Sequence, residues 1–514
     1  MKALKKCMFL LTAGLILASS AGCSKPSNTP ASGASGNSAS QTSDAPAELT
    51  WLVSGDNTPP DTNTVLQKLC EETNTKLSVT YVSGADEASK LNTLIASKSL
   101  PDVFQVTTIS DAEQIRDNGM AAELTEYLKD AENIQNELGS VLGDSPVNKD
   151  GKMYSVFSAA KPYAQNMCIR TDWLKAVNKE MPTDLDSLYD VLYAFTYNDP
   201  DGNGENDTIG LGASIVGGWN NFIDILGAYG IASSGEGLRP IELEDGTVTT
   251  GLKHENFLDA VAYFRKLYQD GLMDPDFVTI PAMDSYGKLW NGKVGAFDFQ
   301  CPGPTNNWMP SRYVEDPPPT FDFAAIAGPD GAAAQGKQYV SYVPATMVSA
   351  QCKDVAAAVR VLDYLMSPEG SLLTYLGVEG VHYKWADEEN GKYEMISPYD
   401  DSTTNRNDGV YVYSEFLLPE NTAERRLLNE QTREGVAMGD EMSTIEWPYI
   451  YTSFEAETMY GSTLKNIEKE IFCQLITTTG DVQEEYEAGI ARWEAEGGLQ
   501  WEAGATEAYK SQQK

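Results

Sequence analysis

Residues Asp199-Pro200-Asp201-Gly202-Asn203-Gly204-Glu205-Asn206-Asp207 set an oxygen donor at every second position, with a glycine sixth in line. A hard cation asks for this pattern, because Ca²⁺ takes carboxylate, amide and carbonyl oxygens from alternate residues of a loop that turns sharply at its sixth place. Asp199, Asp201 and Asn203 would donate side-chain oxygens, Glu205 its backbone carbonyl, and Asp207 an oxygen directly or through water. Position twelve is Gly210, not the bidentate Glu of an EF-hand, so a structural Ca²⁺ is expected and a paired sensor is not.

Catalytic chemistry finds less to work with. There are two histidines, His254 and His382, and no Gly-x-Ser-x-Gly, His-Glu-x-x-His, Walker phosphate loop or Gly-x-Gly-x-x-Gly. His254 opens a helical segment and reads as a solvated or capping residue. Two carboxylates far apart in sequence can still meet as a glycosidase pair, and with 75 Asp and Glu a secreted glycosidase or lyase stays open as the alternative to a protein without catalysis.

The aromatic residues are more suggestive. Gly217-Gly218-Trp219-Asn220-Asn221, Pro304-Thr305-Asn306-Asn307-Trp308 and His382-Tyr383-Lys384-Trp385 put indoles beside amides in loop-like sequence. Flat rings stack on the apolar faces of sugars while amides and carboxylates bond the hydroxyls, so the pairing suits carbohydrate. Loop position selects Asp56, Gln105, Trp219, Gln300, Trp308, Trp385 and Trp447 as ligand contacts, with core packing the competing role for each Trp.

The elements that must position these residues follow from periodicity. Strand-like Leu49-Thr50-Trp51-Leu52-Val53, helix near 65–72, strand near 77–82, helix near 86–98 and strand near 101–106 make a β-α-β-α-β alternation, the mark of an open α/β sheet with functional loops at its strands' carboxyl ends. A strand is predicted at 165–170, then helices at 171–180 and 185–197, the latter with Leu185, Leu188, Leu192 and Phe195 on one face. Further along, the pattern predicts a helix carrying Phe257, Val261, Phe264 and Tyr268. Strands at 293–299 and 338–349 follow, then helices at 353–366 and 368–376, and two long closing helices near 454–476 and 481–496.

Lys2, Lys5 and Lys6 precede the apolar run 8–18, and Ser20-Ala21-Gly22-Cys23 follows, which is the layout of a secretory signal too short to span a membrane as a structural helix. The Ser, Ala, Gly, Asn, Thr and Pro that fill 24–47 cannot bury a core and read as a flexible tether. Outside the signal and Cys23, Cys70, Cys168, Cys301, Cys352 and Cys473 show no zinc spacing; their odd number leaves at least one unpaired, and free thiols are expected. A net charge of −38, from 37 Lys and Arg against 75 Asp and Glu, argues against nucleic acid or an anionic membrane surface as the principal partner. It also disfavours polyuronates, unless a local basic patch overrules the mean.

Taken in order, these segments resemble the extracellular solute-binding lipoproteins of bacterial ABC importers, in the large subgroup of the family 1 proteins that takes oligosaccharides. The signal ending at Cys23 is similar to a lipoprotein signal, in which that Cys is lipidated, with Ser20 departing from the usual Leu. Leu100-Pro101-Asp102-Val103 resembles the family's strand entry, and Ile169-Arg170-Thr171-Asp172-Trp173-Leu174 the passage into the second lobe. The stretch Pro182-Thr183 through Gly210 is similar to the subgroup's helix and Ca²⁺ loop, with Thr208 where an acidic residue is common. Leu267 to Leu272, Asn291 to Ala296 and Glu379 to Tyr383 match subgroup signatures.

The resemblance implies an α/β, two-lobed periplasmic-binding-protein-like fold with a hinge and an interlobe cleft. It implies a signal peptide over 1–22, a lipid-anchored tether over 23–47, lobe 1 from 48–163 and 342–380, and lobe 2 from 164–341 and 381–514. Chain crossings would fall near 160–167, near 339–345 and after 376. The function implied is capture of an oligosaccharide by a monomer on the outer face of the cell membrane, for delivery to permease subunits. A peptide or other polar-solute importer component, and an adhesin or sensor without a transporter, remain as alternatives.

Overall fold

The computed structural model describes residues 45–55, 57–84, 86–158, 165–300, 312–413 and 427–513, the Gln300 side chain excepted. Contacts divide the chain between Ala45 and Pro46, and the architecture below belongs to the second unit. Asp56, Trp308 and Cys23, three of the expected functional residues, lie outside the described residues, as does Cys301.

The first sheet begins as the sequence predicts. Strand β1 (Ala47–Ser54), helix α1 (Thr64–Thr73), strand β2 (Thr75–Val82) and strand β3 (Val103–Val106) wind so that β1 lies parallel to both β2 and β3. Leu49, Trp51, Leu52 and Val53 are all buried, as a strand covered on both faces requires. Strand β4 (Ser155–Val156) leaves this sheet, and β5 (Gln165–Arg170) starts a second one. Helix α2 (Leu185–Tyr197), strand β6 (Ile209–Gly212), helices α3 (Ile223–Ala228) and α4 (Phe257–Gln269), and strands β7 (Val294–Gln300) and β8 (Phe321–Ala324) build the second lobe. Strand β9 (Ala345–Val348) returns to the first sheet. The sheets have the orders β2-β1-β3-β9-β4 and β8-β5-β7-β6.

Each sheet has its own core. The first packs α1 and helix α5 (Val355–Leu365) over Trp51, Val65, Leu69 and Leu362. The second encloses Trp219, Phe222, Phe264 and Phe472, with the three last in mutual edge contacts at 5.3–5.6 Å. Helix α6 (Glu430–Met442) packs beside β5, and α7 (Glu455–Thr477) runs across α4. Helices α8 (Val482–Trp493) and α9 (Leu499–Gln512) close the chain.

Three expectations are corrected. Residues 381–413, expected in lobe 2, pack on lobe 1: Tyr413 stacks on Trp51 at 5.6 Å and takes a hydrogen bond from Asn63 Nδ2 at 3.1 Å. Asp408 accepts from both Thr64 N and Thr64 Oγ1, at 2.6 and 2.8 Å, and meets His382 Nε2 at 3.2 Å. The unpaired N–H groups at the start of α1 recruit this distant segment as their partner, which sequence spacing does not reveal. The chain therefore does not pass to the second lobe directly after 376 but stays on the first through Tyr413. Second, the strand expected over 338–349 forms only from Ala345 to Val348: Lys337 and Val340 bond the segment 445–449, and Ser341 and Val343 bond each other. Third, a separate helix follows the two predicted at the end: Gly497, with φ +115, and Gly498 break the run, and α9 resumes beyond them.

Candidate functional site

Where the chain passes between lobes, two stretches run side by side. Lys337 N donates to Ile445 O at 2.9 Å, Trp447 Nε1 to Lys337 O at 2.9 Å, and Tyr449 Oη to Val340 O at 3.1 Å. This lacing sets the rings. Tyr339 and Tyr449 stack at 4.9 Å with planes 4° apart, and Trp447 meets each edge-on at 5.2 Å. Tyr339 Oη donates to Glu446 Oε2 at 2.5 Å, and burial with that carboxylate pushes its hydroxyl up to about 12.

These rings form one wall of a chamber of about 470 Å³. Its other walls are the hairpin 236–240, helix α7 from Glu457 to Glu468, and Trp493 and Trp501 from α8 and α9. The volume falls within the roughly 300–1,000 Å³ of small-ligand sites. Arg239 enters from the hairpin and lies over the Trp447 ring at 4.4 Å. Trp501 meets Phe454 at 5.9 Å and Trp493 at 6.3 Å, and its Nε1 donates to Glu457. Under the chamber, Glu468 is 7% exposed, accepts from Thr250 Oγ1 at 2.6 Å, and is pushed by burial up to about 7. Aromatic faces and a planar cation can stack a ring and bond its substituents.

Beside the chamber, at the root of the second crossing, Gln335 Nε2 donates to Gln165 O at 2.6 Å and to Asp224 Oδ1 at 2.5 Å, while Asp298 Oδ2 accepts from Asp224 N at 2.8 Å. Burial holds both carboxyls far above the carboxylate range, and their mutual repulsion adds to it for Asp298. Asp224 and Asp298 are 4% and 0% exposed, so this acid pair is closed to a polysaccharide chain and does not serve as a glycosidase dyad.

The predicted contacts divide sharply. Trp447 lines the chamber. Trp219 does not: it is 0% exposed and packed on Phe472 at 4.8 Å, because its neighbour Asn221 pins the turn by accepting from Ser214 N and donating to Asp298 O. Gln105 sits near the carboxyl end of β3, 8% exposed, its amide 3.4 Å from Thr346 Oγ1. Trp385 belongs to a hairpin on the first lobe, edge-on to Tyr383 at 5.4 Å, away from the chamber. The Gln300 backbone ends β7 opposite Gln165. Sequence reasoning missed Tyr339, Tyr449, Arg239 and Glu468. The alternation Trp447-Pro448-Tyr449-Ile450-Tyr451 carried a signal for Tyr449; nothing marked Arg239 or Glu468.

The acidic loop folds as a tight turn, with Asp199, Gly202 and Gly204 at φ +46, +68 and +83. Gly204 N donates to Asp199 Oδ2 at 3.1 Å, and Asn203 Nδ2 to Asp201 Oδ2 and Asp207 Oδ1 at 2.7 and 3.2 Å. Lys293 Nζ meets Asp207 Oδ2 at 2.5 Å and, with Asn203, holds that carboxyl below its usual range. Asp201 is pushed up, foremost by burial. Among the described residues no three His, Cys, Asp or Glu side chains converge at metal-ligand spacing. A Cβ at Gly210 would stand 2.6 Å from Leu192 O, which explains why position twelve carries no carboxylate. Thr208 Oγ1 turns inward to Phe195 O at 2.7 Å. The donor types suit a hard cation, while the Asn203 amide and Lys293 hold the carboxylates in this arrangement.

The remaining chemistry agrees with expectation. Cys70, Cys352 and Cys473 are free thiols, and His254 Nδ1 accepts the N–H of Asn256 at 3.2 Å as a cap before α4.

A family model described as bacterial extracellular solute-binding protein matches residues 64–381. The chain is 26% identical over 515 residues to Lipoprotein LipO of Bacillus subtilis, covering 96% of each. It is also 26% identical over 505 residues to the polygalacturonan/rhamnogalacturonan-binding protein YtcQ of the same organism, covering 95% of each. Its fold matches that of an HMO binding ABC-transporter associated solute binding protein of Bifidobacterium longum infantis, with a TM-score of 0.70 at 17% identity over 90% of this chain and 98% of that one.

Proposed function

The chain belongs to the bacterial extracellular solute-binding proteins, and from that premise we propose that it captures an oligosaccharide in the aromatic chamber and delivers it to the permease of an ABC importer. One observation carries the reading: the Trp447 and Tyr449 side chains bond the backbone of 337–340, where the chain enters a lobe crossing, and Tyr449 stacks on Tyr339 there, so rings that can grip a sugar are tied to a segment that lobe movement would shift. The name of YtcQ, a full-length relative, supports carbohydrate as the ligand class. Ligand would shift the open and closed populations by its differential affinity for them, and the closed form would engage the permease.

Titration of intrinsic tryptophan fluorescence with an oligosaccharide panel tests this. Trp447→Phe removes the bond to Lys337 O and part of the stacking surface, and it should weaken sugar binding about tenfold. Trp385→Phe, on the first-lobe hairpin, should leave affinity unchanged. Equal affinities for both variants and the parent would overturn the assignment of the chamber.

Two finer statements complete the proposal. Cys23 carries the lipid that holds the protein outside the membrane, a reading supported by the signal that precedes it and by the lipoprotein relative. The loop 199–207 takes Ca²⁺: Asp199, Asp201, Asn203 and Asp207 would supply side-chain oxygens, and the ion would neutralise crowded carboxylates and stiffen the turn between α2 and β6.

A further inference from the structure

We propose that the sugar bound in the chamber carries a carboxylate, and that Arg239 is the residue that selects for it; this rests on the reading of the chamber as a sugar site. Other sheltered guanidinium groups of the chain are bonded to protein acceptors. Arg170, 2% exposed, makes forked pairs with both Asp172 and Glu315. Arg116, 7% exposed, is held by Asp117 and the carbonyls of Pro146 and Val147. Arg265, half-buried, bonds the carbonyl of Leu475.

Arg239 departs from this rule. Among the described residues its guanidinium makes no hydrogen bond and no ion pair; it lies over the Trp447 ring at 4.4 Å, within range of the Tyr449 hydroxyl. Its backbone is fixed, since its N–H donates to Ala232 O at 2.8 Å. Burial is strong enough to disfavour the charged form. Its five N–H donors, bonded to no protein acceptor, line the chamber and stay open to a partner that arrives from outside.

The neighbouring carboxylates are otherwise engaged. Glu446 is bonded by Lys337 and Tyr339, Glu457 by Trp501 and Lys465, and Glu468 is buried below and accepts from Thr250. Glu236 is exposed on the hairpin rim and acts on Arg239 only at range. The planar fork of a guanidinium fits a carboxylate in bidentate fashion, and stacking on Trp447 presets its plane. A ring carboxylate of a sugar held on the aromatic wall is the group of matching shape and charge. In a chain of net charge −38, such a site reads one local charge against an opposing mean field.

The test is direct binding of the purified protein to acidic oligosaccharides of several uronate and sialate types, each beside its methyl-ester twin, together with neutral oligosaccharides. We expect the tightest ligand to be acidic, its methyl ester to bind roughly 10- to 100-fold more weakly, and Arg239→Met to lose the same factor for the acid while leaving the ester unchanged. Arg239→Lys, which keeps charge but not the fork, should recover only part of the loss. A neutral sugar as tightest ligand, or equal binding of acid and ester by the parent, overturns this proposal and leaves the sugar site standing. Binding of no sugar from either half overturns the sugar reading and this proposal with it. The parent's acid-to-ester ratio decides the matter even where Arg239→Met fails to fold.

Discussion

Glu468 should make the protein less stable as the pH rises towards neutrality. The residue lies mid-helix in α7, is 7% exposed, and accepts a hydrogen bond from Thr250 Oγ1 at 2.6 Å. Burial lifts its carboxyl from the ordinary 4.5 to about 7. Below pH 4.5 both folded and unfolded chains hold this proton, and the group adds no pH dependence. Between 4.5 and 7 the unfolded chain releases it while the folded chain keeps it, so the unfolded state binds fewer protons and stability falls with rising pH. Above 7 both forms are ionised and the loss has levelled off. At about 1.4 kcal/mol per pH unit the full effect is about 3 kcal/mol. Glu468→Gln keeps the shape and the acceptor for Thr250 but cannot ionise. Urea unfolding should find the variant close to the parent at pH 4.5 and more stable by up to about 3 kcal/mol at pH 8, roughly 6 °C or more in melting temperature for a lobe of this size. Subtracting parent from variant cancels the parallel contribution of Asp224 and Asp298. A difference that does not change between pH 4.5 and pH 8, or a variant less stable at pH 8, would refute the reasoning.

Three further outcomes are expected. Gly227→Ala places a Cβ 1.8 Å from Ala334 O, backbone that cannot swing aside, and should cost more than about 3 kcal/mol, read as loss of soluble protein or a large drop in melting temperature. Asp201→Ala should lower the melting temperature in Ca²⁺ and abolish the shift that a chelator produces in the parent; an unchanged chelator response would remove the ion from the loop. Cys23→Ser should move the protein from the membrane fraction to the medium, and retention on membranes would count against the lipid anchor.

How much of this was legible in the sequence depended on whether the signal was local. The stripe Leu185, Leu188, Leu192 and Phe195 is buried as its spacing predicts, and β1, β2 and β3 fall on the predicted alternation. The loop 199–207 turns at its glycines as its composition indicates. The chamber was not legible, because its walls come from 236–240, 338–343, 447–452 and three closing helices, which meet only through tertiary packing. Trp219 and Trp447 looked alike as indoles in loop-like sequence, yet one fills a core and the other walls a cavity; what separates them is the partner, Phe472 or Arg239, and neither is near in sequence. The assignment of 381–413 failed for the same reason, since Asp408 and Tyr413 answer to Thr64, Asn63 and Trp51.

Native mass spectrometry of the protein with a mixed library of neutral and acidic oligosaccharides tests the central claim most directly. Capture predicts one intact sugar bound per chain, with the free library unchanged in length. Shortened sugars would identify an enzyme instead, and a chain that retains no sugar from the library would contradict the assignment of the chamber to carbohydrate.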